Sequence, residues 1–227
     1  MTYRTKDDLY KSIDALRKSL KIDADSYPLN CIEICKLNRI DIAYHKFNTS
    51  GFCAAAFKGK KIDTVVLNSN RDSIEQNFDC GHEFIHLVKH RDTGMDFFNC
   101  FEKCQATQNV FLEWEANEGA AELLVPYRLL LPMLKENKEK LSSWQYIVEL
   151  KKRISKQFNV SEAVVKYRFE SLKYEIAQHV RGIKLNEINF LSLQKQQEKN
   201  IHVKSLNDLE TDLFNSEFLL HLNKTVC

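Results

Sequence analysis

Cys80-Gly81-His82-Glu83-Phe84-Ile85-His86-Leu87-Val88-Lys89-His90 places two histidines four positions apart with a glutamate beside the first. On a helix, residues i and i+4 share a face with Cβ atoms about 5–6 Å apart, so two imidazoles can converge on one ion. Glu83, one step round, stands beside that ion rather than among its ligands, where it can take a proton from a bound water. The flanks predict the helix, because Ile74, Phe78, Gly81, Ile85 and Val88 follow a 3.6-residue period. Glu75, Asp79, His82, His86 and His90 run beside them. The metal face and the core face are therefore neighbours. H-E-x-x-H by itself arises by chance in roughly one or two chains per hundred of this make-up, so a third ligand has to decide the matter.

Outward from this stretch, Leu9, Ile13, Leu16 and Leu20 predict an amphipathic first helix, and a short second helix carries Cys31, Ile34 and Leu37. Three β-like runs, Ile40–Lys46, Phe52–Phe57 and Ile62–Leu67, are separated by turn material at residues 48–51 and 58–61 and predict a small antiparallel meander. Arg91 to Val110 reads as a long loop containing Cys100 and Cys104, and a strong helix runs from about Phe111 to Val125, stopping near Pro126. From Lys138 the chain is helical and charged: Leu141–Phe158 and Glu162–Ile176 form two helices around a tight turn, with Ser161 as N-cap. Residues 194–200 are polar and predict a flexible connector. Leu209, Leu213, Phe214, Phe218, Leu219 and Leu222 then mark a terminal amphipathic helix. The expected organisation is α+β: a small antiparallel sheet packed on a zincin-like helical core over 1–135, a helix-turn-helix-like segment over 136–181, and a tail over 182–227.

The 227 residues suffice for an ordinary domain with an appendage, and 44% hydrophobic with 28% charged residues is usual for a globular chain. A net charge of +2 argues against wholesale coating of nucleic acid. No apolar run of about 18 residues predicts a membrane span, and the N-terminal residues do not read as a signal peptide. The seven cysteines (31, 35, 53, 80, 100, 104 and 227) read as reduced thiols in a cytoplasm.

A catalytic zinc takes three protein ligands and keeps one position open. The helix after the long loop, Glu113-Trp114-Glu115-Ala116-Asn117-Glu118-Gly119-Ala120-Ala121-Glu122, offers four carboxylates. Glu115, Glu118, Gly119 and Glu122 share a polar face that reads as solvated. Glu113 lies instead with Ala116, Asn117, Ala120 and Leu124, a small-residue face suited to packing against another helix. A carboxylate on such a face needs a partner, and a cation would supply one. Asn117, one turn on, is placed to hold that carboxylate or a ligand imidazole.

Together, Ile62–Asn68, the G-H-E-x-x-H-x-x-x-H run of Gly81–His90 and the E-x-E-A-N-x-x-A-A-E-L-L-V-P of Glu113–Pro126 resemble the ImmA/IrrE group of zinc metallopeptidases. The resemblance covers about residues 28–176 and includes Val160–Arg168. It implies zinc ligands at His82, His86 and Glu113, a catalytic carboxylate at Glu83, and an intracellular protease acting on a helix-turn-helix repressor. Cys80-Gly81 and Gly119 depart from the residues usual in that group, and the last 50 residues match nothing in it.

Other residues have a functional and a plain reading. His90 lies two turns from His82, about 12 Å along the axis, so it reads as an outer support or a helix-end residue rather than a third ligand. Cys80 is a thiolate ligand, a redox sensor or a small packed residue. Cys31, Cys35, Cys100 and Cys104 have only their spacing to recommend them as a second zinc site. The basic residues of 141–176 (Lys151, Lys152, Arg153, Lys156, Lys166, Arg168 and Lys173) could read DNA, but the apolar content of that segment favours packing or docking of a protein substrate. The sequence therefore points to a zinc endopeptidase with Glu83 as general base. The alternative is a DNA- or partner-binding regulator whose zinc site is structural or vestigial.

Overall fold

The fold of the first 124 residues is built around a helix with no exposed stripe. The computed structural model describes residues 5–225, with side chains as far as Phe218. Cys227 and the side chains of Leu219, His221 and Leu222 lie outside the described residues. The chain divides into two compact units, residues 1–124 with 158–161, and residues 125–157 with 162–227.

In the first unit α1 (Lys6–Ser19) and α2 (Cys31–Leu37) precede β1 (Ile40–His45), β2 (Phe52–Phe57) and β3 (Asp63–Asn68). These are followed by α3 (Ser73–Lys89), β4 (Phe97–Phe101) and α4 (Val110–Leu124). A capping box starts α3: Asp72 accepts from the Ile74 and Glu75 amides, and Glu75 accepts from the Asp72 amide. Asn109 starts α4 by accepting from the amides of Phe111 and Leu112.

The α+β class holds, but the sheet is mixed rather than a meander. Its order is β1-β3-β2-β4, with β1 parallel to β3 and β2 antiparallel to both β3 and β4. Burial explains the order. Cys53, Ala54, Ala55 and Ala56 of β2 are all buried, and a strand covered on both faces needs a neighbour on each side. The neighbour that takes one side is β4, which lies inside the stretch expected to be loop. Its buried Phe98 and Cys100 alternate with less buried Phe97, Asn99 and Phe101, a period of two that marks a strand. β1, mostly exposed, takes the outer edge.

Two close approaches seat α4 against the rest. A Cβ at Gly81 would stand 3.0 Å from Cys31 Sγ and 3.7 Å from the Ala120 methyl, and one at Gly119 would stand 3.1 Å from Ile85. The residues that depart from the family pattern therefore sit where helices α2, α3 and α4 come nearest. The face of α4 expected to be solvated is buried: Glu115, Glu118 and Glu122 are 6%, 1% and 0% exposed. Each has a partner from elsewhere in the unit. Tyr10 donates to Glu118, His90 faces Glu115, and Arg17 pairs with Glu122 at 2.9 Å while also donating to its backbone carbonyl at 2.7 Å. Buried carboxylates are tolerated only when paired, and these partners lie up to 108 residues away in the chain.

The second unit is helical: α5 (Tyr127–Glu136), α6 (Trp144–Phe158, of which Phe158 counts with the first unit), α7 (Glu162–Ser171), α8 (Lys173–Val180), α9 (Leu193–Glu198) and α10 (Leu206–Thr225). Three differences from expectation appear. Pro126 ends α4 and also serves as the N-cap of α5, which the sequence reading did not foresee. The helix expected over Glu162–Ile176 breaks at Leu172 into α7 and α8. Part of the expected connector is α9, capped by Ser192 accepting from the Lys195 amide. The basic patch is also smaller than the sequence indicated. Arg168 is fully buried and donates to the Val125 carbonyl, and Lys151 is 4% exposed and paired with Glu210. Within this unit Trp144 meets Phe214 edge-on at 5.1 Å.

The buried Arg17–Glu122 pair gives the first prediction. Arg17→Met should lower the stability of the first unit by about 3 kcal/mol, because it strands a buried carboxylate. Lys11→Met, which removes an exposed pair with Asp7, should leave stability unchanged. Urea unfolding followed by circular dichroism measures both, and an Arg17→Met effect no larger than that of Lys11→Met would show that the pair does not hold α1 to α4.

Candidate metal centre

Helix α3 presents His82 and His86 on one face, both fully buried, with their Nε2 atoms 3.0 Å apart. Glu113, in the first turn of α4, turns its carboxylate to the same point. One oxygen lies 3.3 Å from His82 Nε2 and the other 3.4 Å from His86 Nε2. These three side chains form one compact donor group on two helices.

The other ring nitrogens are already engaged. His82 Nδ1 is 3.1 Å from the Asn117 side-chain oxygen, which can only accept, so Nδ1 carries the proton and Nε2 keeps a lone pair. His86 Nδ1 is 2.8 Å from His90 Nδ1, and His90 Nε2 is 2.9 Å from Glu115. The carboxylate fixes the sense of this chain. His90 donates through Nε2 to Glu115, so its Nδ1 accepts from His86, and His86 Nε2 is left with a lone pair. Two lone pairs and a carboxylate thus face one another. A proton could relieve one of these contacts, whereas a divalent cation relieves all of them. In a tetrahedral zinc site with bonds of about 2.0 Å, neighbouring donors stand about 3.3 Å apart, close to the separations found here. The donor set fits the ion.

Electrostatics point the same way. Burial opposes ionisation of Glu113, but the His82 and His86 rings close to it outweigh burial and hold its carboxyl down to about 2. Burial pushes His86 down to about 3 despite Glu113. At His82 burial also lowers the pKa, but Glu113 and Glu83 together leave it raised. Glu83, beside the group, is fully buried and neither of its side-chain oxygens has a hydrogen-bond partner. Burial pushes its carboxyl up to about 8, opposed by His82 and reinforced by Glu113 and Asp79. A buried carboxyl left without partners is costly unless the site supplies a cation and a water for it to face.

The remaining residues fall into place by geometry. His90 ends α3 as its C-cap and reaches the centre only through His86. Asn117 holds the ring of His82 and does not hold the Glu113 carboxylate. Cys80 is buried with its sulfur 3.5 Å from that of Cys35 and is in none of the donor groups among the described residues, which matches the small packed residue. Cys104 is exposed while Cys31, Cys35 and Cys100 are buried, so the four do not gather into one site. His86 also stacks on Phe98 of β4, with ring centroids 4.5 Å apart. The sequence reading put Glu115 on a solvated face and considered Cys100 only with Cys31, Cys35 and Cys104, not beside His82 and Glu83. Cys100 was legible from the alternation of β4, and Glu115 had no local signal because its partner comes from α3.

No helix among the described residues is long and apolar enough to cross a membrane. Comparison with curated protein sequences gives no match. Among solved structures, a Mycobacterium tuberculosis transcriptional regulator is similar at 13% identity and a TM-score of 0.49, over 73% of this chain and 48% of its own. The chain thus spans about half the length of that structure, and a likeness at this level carries no functional weight. The family model described as IrrE N-terminal-like domain, Peptidase_M78, matches residues 32–170, the stretch that contains α3 and α4, and the chain belongs to this metallopeptidase family.

Proposed function

We propose that this chain is a zinc-dependent endopeptidase in which His82, His86 and Glu113 hold the metal and Glu83 is the general base. The observation that carries the reading is the convergence of two imidazole lone pairs and one carboxylate next to a buried Glu83 whose oxygens have no partner. A zinc ion in that position would supply a Lewis acid for a peptide carbonyl and would make a water acidic enough to ionise near neutral pH.

The work of the protein side chains follows from their placement. Glu83 takes the proton of the attacking water and returns it to the leaving amine, which requires it to be ionised at the start and protonated in between. Its burial raises its basicity, so the proton is held firmly enough to be delivered. Asn117 fixes the His82 tautomer, and the His90–Glu115 relay fixes that of His86, so neither ring has to reorient during turnover. A structural metal site needs no general base beside it, and the intact Glu83 therefore favours the enzyme over a regulator with a vestigial site.

We propose a folded substrate, a helix-turn-helix repressor, on the strength of the family resemblance. One open metal position discriminates poorly between peptide bonds, so the choice of target falls to other surfaces. Lys152, Lys156 and Lys166 of the helical unit remain exposed and can serve such a surface, whereas Arg168 cannot.

Elemental analysis of the purified protein should find one tightly held zinc per chain, lost in His82→Ala, His86→Ala and Glu113→Ala. His90→Ala should keep the ion but bind it roughly 10–100-fold more weakly. Stoichiometric zinc in the His82→Ala/His86→Ala double variant would remove these residues as ligands.

Glu83→Gln should retain the zinc and lose at least ~10²-fold in cleavage of a co-encoded helix-turn-helix repressor. Cleavage at the wild-type rate would take Glu83 out of the chemistry. Charge reversal of Lys152, Lys156 and Lys166 should slow repressor cleavage while sparing an unfolded protein substrate, and equal loss on both substrates would argue against docking by this surface.

A further inference from the structure

A second donor group lies beside the first. Cys53 Sγ on β2, a carboxylate oxygen of Asp79 on α3 and Cys100 Sγ on β4 all lie within 4.8 Å of one another, and all three residues are buried. Each comes from a different element. Cys53 sits where the pairing of β2 with β4 slips between Phe52 and Ala54, an irregularity of the kind that re-aims a side chain, and here it brings Cys53 to Cys100. Cys100 Sγ is also within 4.8 Å of a His82 ring nitrogen and a Glu83 carboxylate oxygen. It is thus shared between the second group and the edge of the first.

We propose that Cys53, Cys100 and Asp79 form a second site for a thiophilic divalent cation of the zinc or cadmium class, filled when such ions are in excess, with Glu83 a further donor beside Cys100. Paired thiolates select soft ions over magnesium or calcium. Two sulfurs bound at about 2.3 Å to one tetrahedral ion stand about 3.8 Å apart, which the present separation accommodates with little movement. Binding releases the two thiol protons to solvent. Two thiolates and one carboxylate around a divalent ion leave a single negative charge, which Arg71 offsets only in part because it also faces Glu75 and Glu102. Its Nε lies 2.6 Å from Asp79 Oδ2, and Glu75 and Glu102 hold the guanidinium at 3.5 and 2.9 Å.

The consequence is inhibition, and this part rests on the assignment of Glu83 as general base. Both Glu83 oxygens lack a partner, so a cation beside Cys100 would draw the carboxylate to itself and away from the water.

The test is titration of the chelator-stripped, reduced protein with Co2+. The His82–His86–Glu113 centre contains no sulfur, so an intense near-ultraviolet thiolate-to-metal band reports a cysteine site, and its dependence on Cys53 and Cys100 assigns it. Wild type should develop the band with the second equivalent, and His86→Ala with the first. Cys53→Ala and Cys100→Ala should abolish it, and Cys35→Ala, which alters the other buried thiol pair, should keep it, all with unchanged circular dichroism. In parallel, excess zinc should inhibit repressor cleavage by wild type at least tenfold more strongly than by Cys53→Ala. Absence of the band in wild type, or a band indifferent to Cys53 and Cys100, overturns the site. The band together with zinc inhibition equal in both proteins overturns the inhibitory role. The band in a protein that cleaves nothing leaves the second site standing and refutes the endopeptidase reading instead.

Discussion

The first unit depends on how closely α3 and α4 approach. Gly81 faces Ala120 and Gly119 faces Ile85, so two helix surfaces meet with almost no side chain between them. That proximity brings the Glu113 carboxylate to the His82 and His86 rings. A larger residue at either glycine would push the helices apart, and a shift of 1 Å is a large fraction of the distances that define the donor group. The donor group and the helix packing are one constraint seen from two sides.

That closeness requires charge to be buried, and the unit deals with it by pairing. Helix α4 carries four carboxylates into the interior, and each meets a group from another element: two imidazoles at Glu113, His90 at Glu115, Tyr10 at Glu118 and Arg17 at Glu122. The carboxylates at 118 and 122 hold α1 to the helix, while those at 113 and 115 face the histidines of α3. Glu83 is the exception, buried without a hydrogen-bond partner. A buried carboxyl without a hydrogen-bond partner costs stability, which sets Glu83 apart from the paired carboxylates of α4.

Strand β4 links the sheet to the chemistry. It gives β2 its second neighbour, stacks Phe98 on His86, and carries Cys100 to the edge of the donor group. The alanines of β2 keep the sheet surface flat and small beneath α3. A bulkier strand would lift α3 away from β4 and separate the two cysteines from Asp79.

The sequence by itself determined what depends on local spacing. The i, i+4 geometry of His82 and His86 and the place of Glu83 beside them follow from 3.6 residues per turn, as does the existence of helices α2 and α3, and the turn residues on either side set the range of β2. Glu113 could be singled out because its helical neighbours are small. Tertiary structure decided the rest, because partners in it are far apart in the chain. The face of Glu115, Glu118 and Glu122 looks solvated in sequence, since nothing local reveals that Tyr10, Arg17 and His90 will cover it. The parallel pairing of β1 with β3 follows from β2 needing two neighbours, which becomes apparent only once β4 is a strand. Arg168 counts as surface charge in sequence and is buried in the fold, where its Nε–H donates a hydrogen bond to the Val125 carbonyl. Periodicity assigns a residue to a face, and only packing decides whether that face meets water or another part of the chain.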